Sequence, residues 1–242
     1  MQNKNNIAII LARGGSKGIK NKNLRRIKNL SLLARAIISC KLSKEFNNVY
    51  VSTDSSKIAN EALKYDAKVI GRPKSISDDM ASSEKGWLHA LNYLMKKNND
   101  LKLSLLVQCT SPFIFPKDID RCYNKMLKEN LGSCFSVAKD KPFLWGYVNK
   151  SPRAINHNEK KPRVRRQNFS ECYRETGAFY LVEIKKFLLK KNRFFSKLGM
   201  LQVENYLDID TENDLLLAKT IAENIDNKIG YQSYLDWRKI NK

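Results

Sequence analysis

Residues 7–23 constrain this chain more than any other stretch. The apolar run Ile7 to Leu11 is long enough for one buried strand. The glycine-rich, basic stretch Leu11-Ala12-Arg13-Gly14-Gly15-Ser16-Lys17-Gly18-Ile19-Lys20-Asn21-Lys22-Asn23 comes next, and a helical pattern follows it. Strand, glycine loop and helix in that order gather free backbone N–H groups and cations around a phosphate. Arg13, Lys17, Lys20 and Lys22 bring four positive charges within ten residues, and Ser16 adds a hydroxyl donor. The order of residues fits neither the Gly-x-x-x-x-Gly-Lys-Ser/Thr phosphate loop nor the Gly-x-Gly-x-x-Gly dinucleotide turn.

Short apolar runs alternate with helix-period segments along the rest of the chain, which predicts βαβ units and a mainly parallel sheet. Leu32, Leu33, Ala36, Ile37 and Cys40 recur at helical spacing behind Ser31, a good N-cap. Val49–Ser52 reads as a strand, 58–63 as a helix and Lys68–Ile70 as a short strand. A helix is expected over 82–97, a buried strand at Leu103–Val107, a proline-opened helix at Pro116–Lys128 and a strand at Ser133–Ala138. The periodicity collapses from Pro142 to Cys172, a span too long for an ordinary connection. It returns with a strand at Ala178–Val182, segments at Lys185–Leu189 and Leu201–Val203, and a helix from Thr211 to about Glu223. The expectation is one domain over residues 1–242 with an inserted arm at about 142–172.

The chain has 242 residues, 42% of them apolar, enough for one substantial core. Its formal net charge is +21, which raises polyanions as partners. The lysines are dispersed, however, and only 160–166 is dense, without the interleaved aromatics of a nucleic-acid module. Five cysteines without C-x-x-C spacing and only two histidines speak against a zinc site and for reduced thiols. No apolar run approaches a membrane span. The expectation is a soluble, cytoplasmic protein that binds neither nucleic acid nor membrane.

Further along stand Ser52-Thr53-Asp54 after a strand, Arg72-Pro73 followed by Ser82-Ser83, and Gln108-Cys109-Thr110-Ser111-Pro112 at the end of a buried strand. Arg174 with Gly177-Ala178-Phe179-Tyr180, and Asp208-Ile209-Asp210, complete the set. Asp208 and Asp210 sit two apart, so in extended chain both carboxylates point to one face. Two carboxylates facing a triphosphate make a hard oxygen site suited to Mg²⁺. Thr211 and Asp214 can at the same time cap the last helix. Asn23 serves equally as a turn residue or as a base or ribose contact, and Arg163–Arg166 as a solvated patch or an anion grip. Phe194-Phe195 reads as core or as pocket wall.

In this order, these motifs resemble the sugar cytidylyltransferases of the acylneuraminate type over residues 7 to about 222. The resemblance implies a Rossmann-like, three-layer α/β nucleotidyltransferase domain whose aperiodic arm packs on a second subunit of a homodimer. It implies an enzyme that transfers CMP from CTP to a nonulosonic sugar acid, with Mg²⁺ as cofactor. Arg13, Lys17, Asp208 and Asp210 take the catalytic roles, the two aspartates as metal ligands. Leu11, Ala12, Arg13, Gly15, Ser16, Lys22, Asn23, Arg72 and Ser83 line the nucleotide. Gln108, Thr110, Ser111, Arg165, Arg166, Arg174, Tyr180, Phe194 and Phe195 face the sugar. Cytidylyltransferases for the eight-carbon acid 3-deoxy-manno-octulosonate are the alternative, but their loop typically reads Gly-Ser-Thr-Arg where this chain has Gly-Ser-Lys-Gly. Cys109, Ala81 and Glu175-Thr176 depart from the usual acylneuraminate pattern, which leaves the exact nonulosonate open.

Overall fold

A computed structural model describes residues 5–16, 18–78, 81–169 and 171–240. Its centre is a seven-stranded sheet in the order β11-β7-β10-β6-β1-β4-β5. The strands are β1 (Asn6–Leu11), β4 (Val49–Thr53), β5 (Lys68–Gly71), β6 (Leu103–Val107), β7 (Ser133–Asp140), β10 (Cys172–Glu183) and β11 (Leu198–Gln202). β10 runs antiparallel to both β6 and β7, and the other four pairings are parallel. Two small hairpins lie outside this sheet: β2 (Arg26–Ile27) with β3 (Leu30–Ser31), and β8 (Trp145–Val148) with β9 (Ser151–Ala154).

The helices are α1 (Leu32–Leu42), α2 (Ser56–Lys64), α3 (Ser83–Met95), α4 (Pro116–Lys128), α5 (Ile184–Lys190), α6 (Glu212–Ile229) and α7 (Tyr231–Ile240). Alternation within the strands divides the core in two. Ala8 and Ile10 pack with α1, α2, α4, α6 and α7, while Ile7 and Ile9 pack with α3 and α5 on the opposite face. Both faces of the sheet are thus covered, which is why β1 and β6 read as continuous apolar runs.

The expected helix starts are held by side chains. Ser31 Oγ accepts from the Ala34 amide at 3.0 Å. Thr211 and Asp214 form a reciprocal capping box at the start of α6. The last helix runs to Ile229 and is followed after Gly230 by α7, an extension the periodicity did not separate from chain end. A buried ion pair fastens this addition: Arg35 on α1 bonds the carboxylate of Asp226 on α6 and donates to the carbonyls of Pro112 and Ile27 at 3.2 and 3.3 Å. The Tyr231 ring lies 4.6 Å from its guanidinium carbon.

The aperiodic middle is not wholly irregular. Its β8–β9 hairpin turns on Asn149 and Lys150, both at positive φ (51° and 64°), as a two-residue primed turn requires. Phe143 packs on Phe169 and His157 at ring distances of 5.0 and 5.1 Å. Trp145, Tyr147, Val148 and Ile155 remain exposed on this excursion.

Candidate active site

α1 leaves β1 on one face of the sheet, and α3 returns from β5 to β6 on the other. The chain therefore reverses direction between β1 and β6, and the crevice beyond their C-terminal ends is where open α/β sheets bind ligands. A cleft of about 370 Å³ lies there, lined by Leu11, Arg13, Ser16, Lys22, Asn23, Arg72, Ser83 and Thr110 among others. Three separate sequence motifs supply its lining: the glycine loop, Arg72 with Ser82-Ser83, and the strand end at Thr110. A larger hollow of about 740 Å³, at the opposite end of the strands around Asn6, Leu103 and Glu183, carries none of those motif residues.

The glycines of this loop serve close approach, and its one positive φ among the described residues is at Asn21 (54°). Among the described glycines only Gly177 and Gly230 have positive φ. A Cβ on Gly18 would lie 2.8 Å from the Asp210 carbonyl oxygen, and one on Gly14 would lie 3.0 Å from Ser55. The Gly14 amide donates to Asp54 Oδ1 at 2.9 Å, so the Ser-Thr-Asp motif orients the loop. Asn23 is buried and its side-chain amide donates to the Arg13 carbonyl at 3.1 Å, serving the loop's own conformation. Ala12 is fully buried, so only its main chain can meet a ligand, whereas Gly15 is exposed with open space around it. Lys17 and the side chain of Arg166 lie outside the described residues.

Lys22 joins the loop to the carboxylate motif. Its Nζ donates to the Ile209 carbonyl and to Asp210 Oδ1, both at 2.9 Å. Ile209 is fully buried, and its amide donates to the Thr110 carbonyl at 2.9 Å, while Asp208 and Asp210 are exposed. The expected alternation is therefore present, with the aliphatic side chain inward and both carboxylates outward. No group of three or more His, Cys, Asp or Glu residues with metal-binding spacing occurs among the described residues. A pair of exposed carboxylates beside a basic, glycine-rich loop still fits Mg²⁺, which usually takes one or two carboxylates and completes its shell with water and substrate phosphates.

Arg72 brings a cation to the other wall. Its backbone amide donates to Thr53 O at 2.8 Å, and its side chain reaches back to Gly86 on α3, 3.1 Å from where a Cβ would stand. Nε and Nη2 are buried without a hydrogen-bond partner. Burial pushes this guanidinium below its ordinary value, Asp54 works in the opposite sense and Arg13 adds to the lowering. Ser52 Oγ and His89 Nδ1 are likewise buried and unpartnered. Of these only Arg72 lines the cleft, and its unmatched donors suit an anionic oxygen ligand.

The residues expected to face the sugar divide into groups. Gln108 is half-buried at the end of β6, and its Oε1 lies 3.4 Å from the missing Cβ of Gly177, whose φ of +72° sits in the β10 irregularity. Tyr180 donates its hydroxyl to Glu175, and Phe194 and Phe135 pack around its ring at 6.3 Å each. Burial, then the Glu175 bond, push the Tyr180 phenol up. Phe195, by contrast, is buried in the core against Gly132, so only the first of the two phenylalanines stands at a surface. Ser111 is buried, with its amide turned to the Gln108 carbonyl at 3.3 Å. Arg174 is exposed and already bonded to Asp140 at 2.9 Å. Arg165 is exposed on the excursion and does not line the cleft. Burial pushes the Cys109 thiol up to about 12, so it stays protonated beside the site and offers no nucleophile.

Arg193 and Glu84 adjoin the cleft through Ser83, and no local pattern marks them. Arg193 Nε donates to Glu84 Oε1 at 2.6 Å, its Nη2 donates to Ser83 Oγ, and its guanidinium lies 4.2 Å from the Tyr180 ring centre. The only sequence signal is a cation placed before two aromatics, and nothing in it points to a helix start about a hundred residues earlier.

The family model described as cytidylyltransferase matches residues 7–233. The chain belongs to the cytidylyltransferase family. Its members are nucleotidyltransferases, and the resemblance drawn from the motifs holds. The chain is 33% identical over 221 residues to N-acylneuraminate cytidylyltransferase A of Danio rerio, covering 88% of this chain and 49% of the relative. It thus spans about half the length of that protein. It is 30% identical over 221 residues to the pseudaminic acid cytidylyltransferase of Campylobacter jejuni, covering 89% of this chain and 95% of the relative. In fold it is similar to a CMP:2-keto-3-deoxy-manno-octonic acid synthetase solved with CTP. That match has a TM-score of 0.68 and 15% identity, and it covers 90% of this chain and 98% of the other. No described helix is long and apolar enough to cross a membrane.

Proposed function

We propose that this cytidylyltransferase joins CTP to a nonulosonic, sialic-acid-like sugar acid and releases pyrophosphate. The observation that carries the reading is the Lys22–Asp210 contact at 2.9 Å, which brings the glycine loop and the carboxylate pair to one cleft. Relatives at 30–33% identity are named for N-acylneuraminate and for pseudaminic acid, both acids of this class. The eight-carbon alternative rests on a likeness of 15% identity, which speaks for the fold alone.

The anomeric hydroxyl oxygen of the sugar attacks the α-phosphorus and gives up its proton to solvent, the bond from the α-phosphorus to the oxygen bridging to the β-phosphate breaks, and pyrophosphate leaves with the electron pair. Little covalent chemistry falls to the protein; it aligns the reactants and stabilises charge. Arg13 and Arg72 flank the triphosphate, and the unpartnered Nε and Nη2 of Arg72 donate to its oxygens. Ser16 and the loop amides supply further donors, and Lys17 belongs to this set by its place in the motif. Asp208 and Asp210 would hold Mg²⁺, which when bound neutralises charge on the phosphates. Gln108, Tyr180 and Phe194 form the sugar side, at the strand end next to Thr110.

Trp145, Tyr147, Val148 and Ile155 give the β8–β9 hairpin an apolar surface unusual for a free loop. We read it as an arm that docks on a two-fold related copy, the commonest symmetry of such assemblies. We read the reaction as cytoplasmic, a compartment that supplies CTP. Pyrophosphate release from CTP, measured across a panel of nonulosonic acids, tests the reading. Release with an N-acylneuraminate- or pseudaminate-type acid is expected; release with none, or only with the eight-carbon acid, would overturn it.

A further inference from the structure

Arg193 stands between two parts of the site that the sequence treats separately. Its side chain is 9% exposed and that of Glu84 25%. One edge of its guanidinium holds the first turn of α3: Nε on Glu84 and Nη2 on Ser83 Oγ, which itself donates toward Glu84 Oε2 at 3.3 Å. The face of the same guanidinium covers the Tyr180 ring at 4.2 Å, and Phe194, the next residue, meets that ring edge-on. Ser83 lines the nucleotide cleft, whereas Tyr180 and Phe194 form the aromatic wall beyond Gln108.

The Glu84 carboxylate neutralises this cation at contact distance, so Arg193 is poorly suited to act as counter-ion for a substrate carboxylate. Burial raises the Glu84 carboxyl, but the bond and charge of Arg193 outweigh it and bring the group below its ordinary value. The pair therefore stays ionised at neutral pH. A planar fork with two fixed partners on one edge and an aromatic ring under its face is rigid, and lysine cannot reproduce it. The Ser83 hydroxyl, accepting from Arg193 and donating to Glu84, meets a nucleotide with its rotor already set.

We propose that Arg193 is a positioning residue that couples the nucleotide and sugar-acid subsites by holding Ser83 and Tyr180 in one rigid unit. The proposal rests on the reading that this cleft takes CTP. Coupling of this kind is reciprocal: whatever fixes the α3 start for the nucleotide also fixes the aromatic wall for the sugar.

The test is calorimetric titration of the intact protein with CTP, without sugar, for the wild type, Arg193→Lys, Ser83→Ala and the double variant. Loss of one charge-assisted hydrogen bond predicts about tenfold weaker CTP binding in each single variant. Because both variants break the same link, the double variant is expected to bind no more weakly than the weaker single one. In turnover assays Arg193→Met should raise KM for the sugar acid about tenfold with kcat changed less than about threefold, the loss one such contact carries. Arg193→Lys, which keeps a cation over Tyr180, should recover part of that KM but none of the CTP affinity. Melting temperatures establish that each variant is folded, and the lysine variant carries the test if the methionine variant is not. Wild-type CTP affinity in Arg193→Lys, or fully additive losses in the double variant, would overturn the proposal. Absence of CTP binding by the wild type would instead overturn the reading of the cleft.

Discussion

Replacing Arg72 by methionine should stabilise the unliganded protein while weakening its hold on nucleotide. Two guanidinium nitrogens, Nε and Nη2, are buried with no protein partner, and each unsatisfied buried donor costs about 1–3 kcal/mol. At the lower end of that range the two donors together cost about 2 kcal/mol, and losing the attraction to Asp54 offsets about half of it, which leaves a net gain of about 1 kcal/mol. Methionine keeps an unbranched stem but lacks the Nη1 tip that lies beside Gly86. In a domain of this size such a gain raises the melting temperature by about 2–4 °C. The same substitution removes charge-assisted bonds to phosphate oxygens, about 1.5–3 kcal/mol, or about 10- to 100-fold in CTP affinity. Scanning calorimetry and CTP titration on one preparation read both effects. Arg72→Lys should fall between in affinity, keeping charge but losing the fork. A melting temperature lowered by several degrees in Arg72→Met, or an unchanged CTP affinity, would refute the reasoning.

Asp208→Asn and Asp210→Asn should each lower turnover by about 10²- to 10³-fold at saturating Mg²⁺. Both side chains are exposed, and the Lys22 bridge lost in the second contributes less than about 1 kcal/mol, so melting temperatures should barely move. Asp226→Asn leaves the fully buried Arg35 without its counter-charge and should destabilise the fold by about 3–5 kcal/mol, read by denaturant unfolding. The lowered Glu84 carboxyl contributes stability that is present above the ordinary glutamate range and is lost as pH falls through its lower folded-state value. The difference in melting temperature between wild type and Glu84→Gln should therefore be full at pH 7 and shrink only below about pH 4. Trp145→Ser with Tyr147→Ser should leave the fold intact but shift light scattering from dimer to monomer; a wild type that is already monomeric would contradict the arm.

The parallel core was legible because its signals are local. Leu103–Val107 and Pro116–Lys128 occupy the expected bounds, and Ser31 caps α1 as its position suggests. The carboxylate pair was legible too, since alternation around buried Ile209 is a period-two rule that one motif displays. The β8–β9 hairpin was missed because its turn uses Asn149-Lys150 where Asn-Gly would have announced it. The division of labour between Phe194 and Phe195 depends on Gly132 and the β7–β11 pairing, far away in sequence. Lys22 illustrates the same limit: its charge could be counted with the loop's cations, but not its commitment to Asp210. Arg193 lay beyond reach for that reason as well, since an ion pair across about a hundred residues leaves no periodic trace.

The most direct measurement is a crystal structure of the protein with CTP and Mn²⁺, using anomalous scattering to locate the metal. We expect triphosphate density along the 11–23 loop between Arg13 and Arg72, with the anomalous peak at Asp208 and Asp210. Nucleotide seated instead in the hollow around Asn6 and Leu103, or metal bound away from both aspartates, would contradict that assignment.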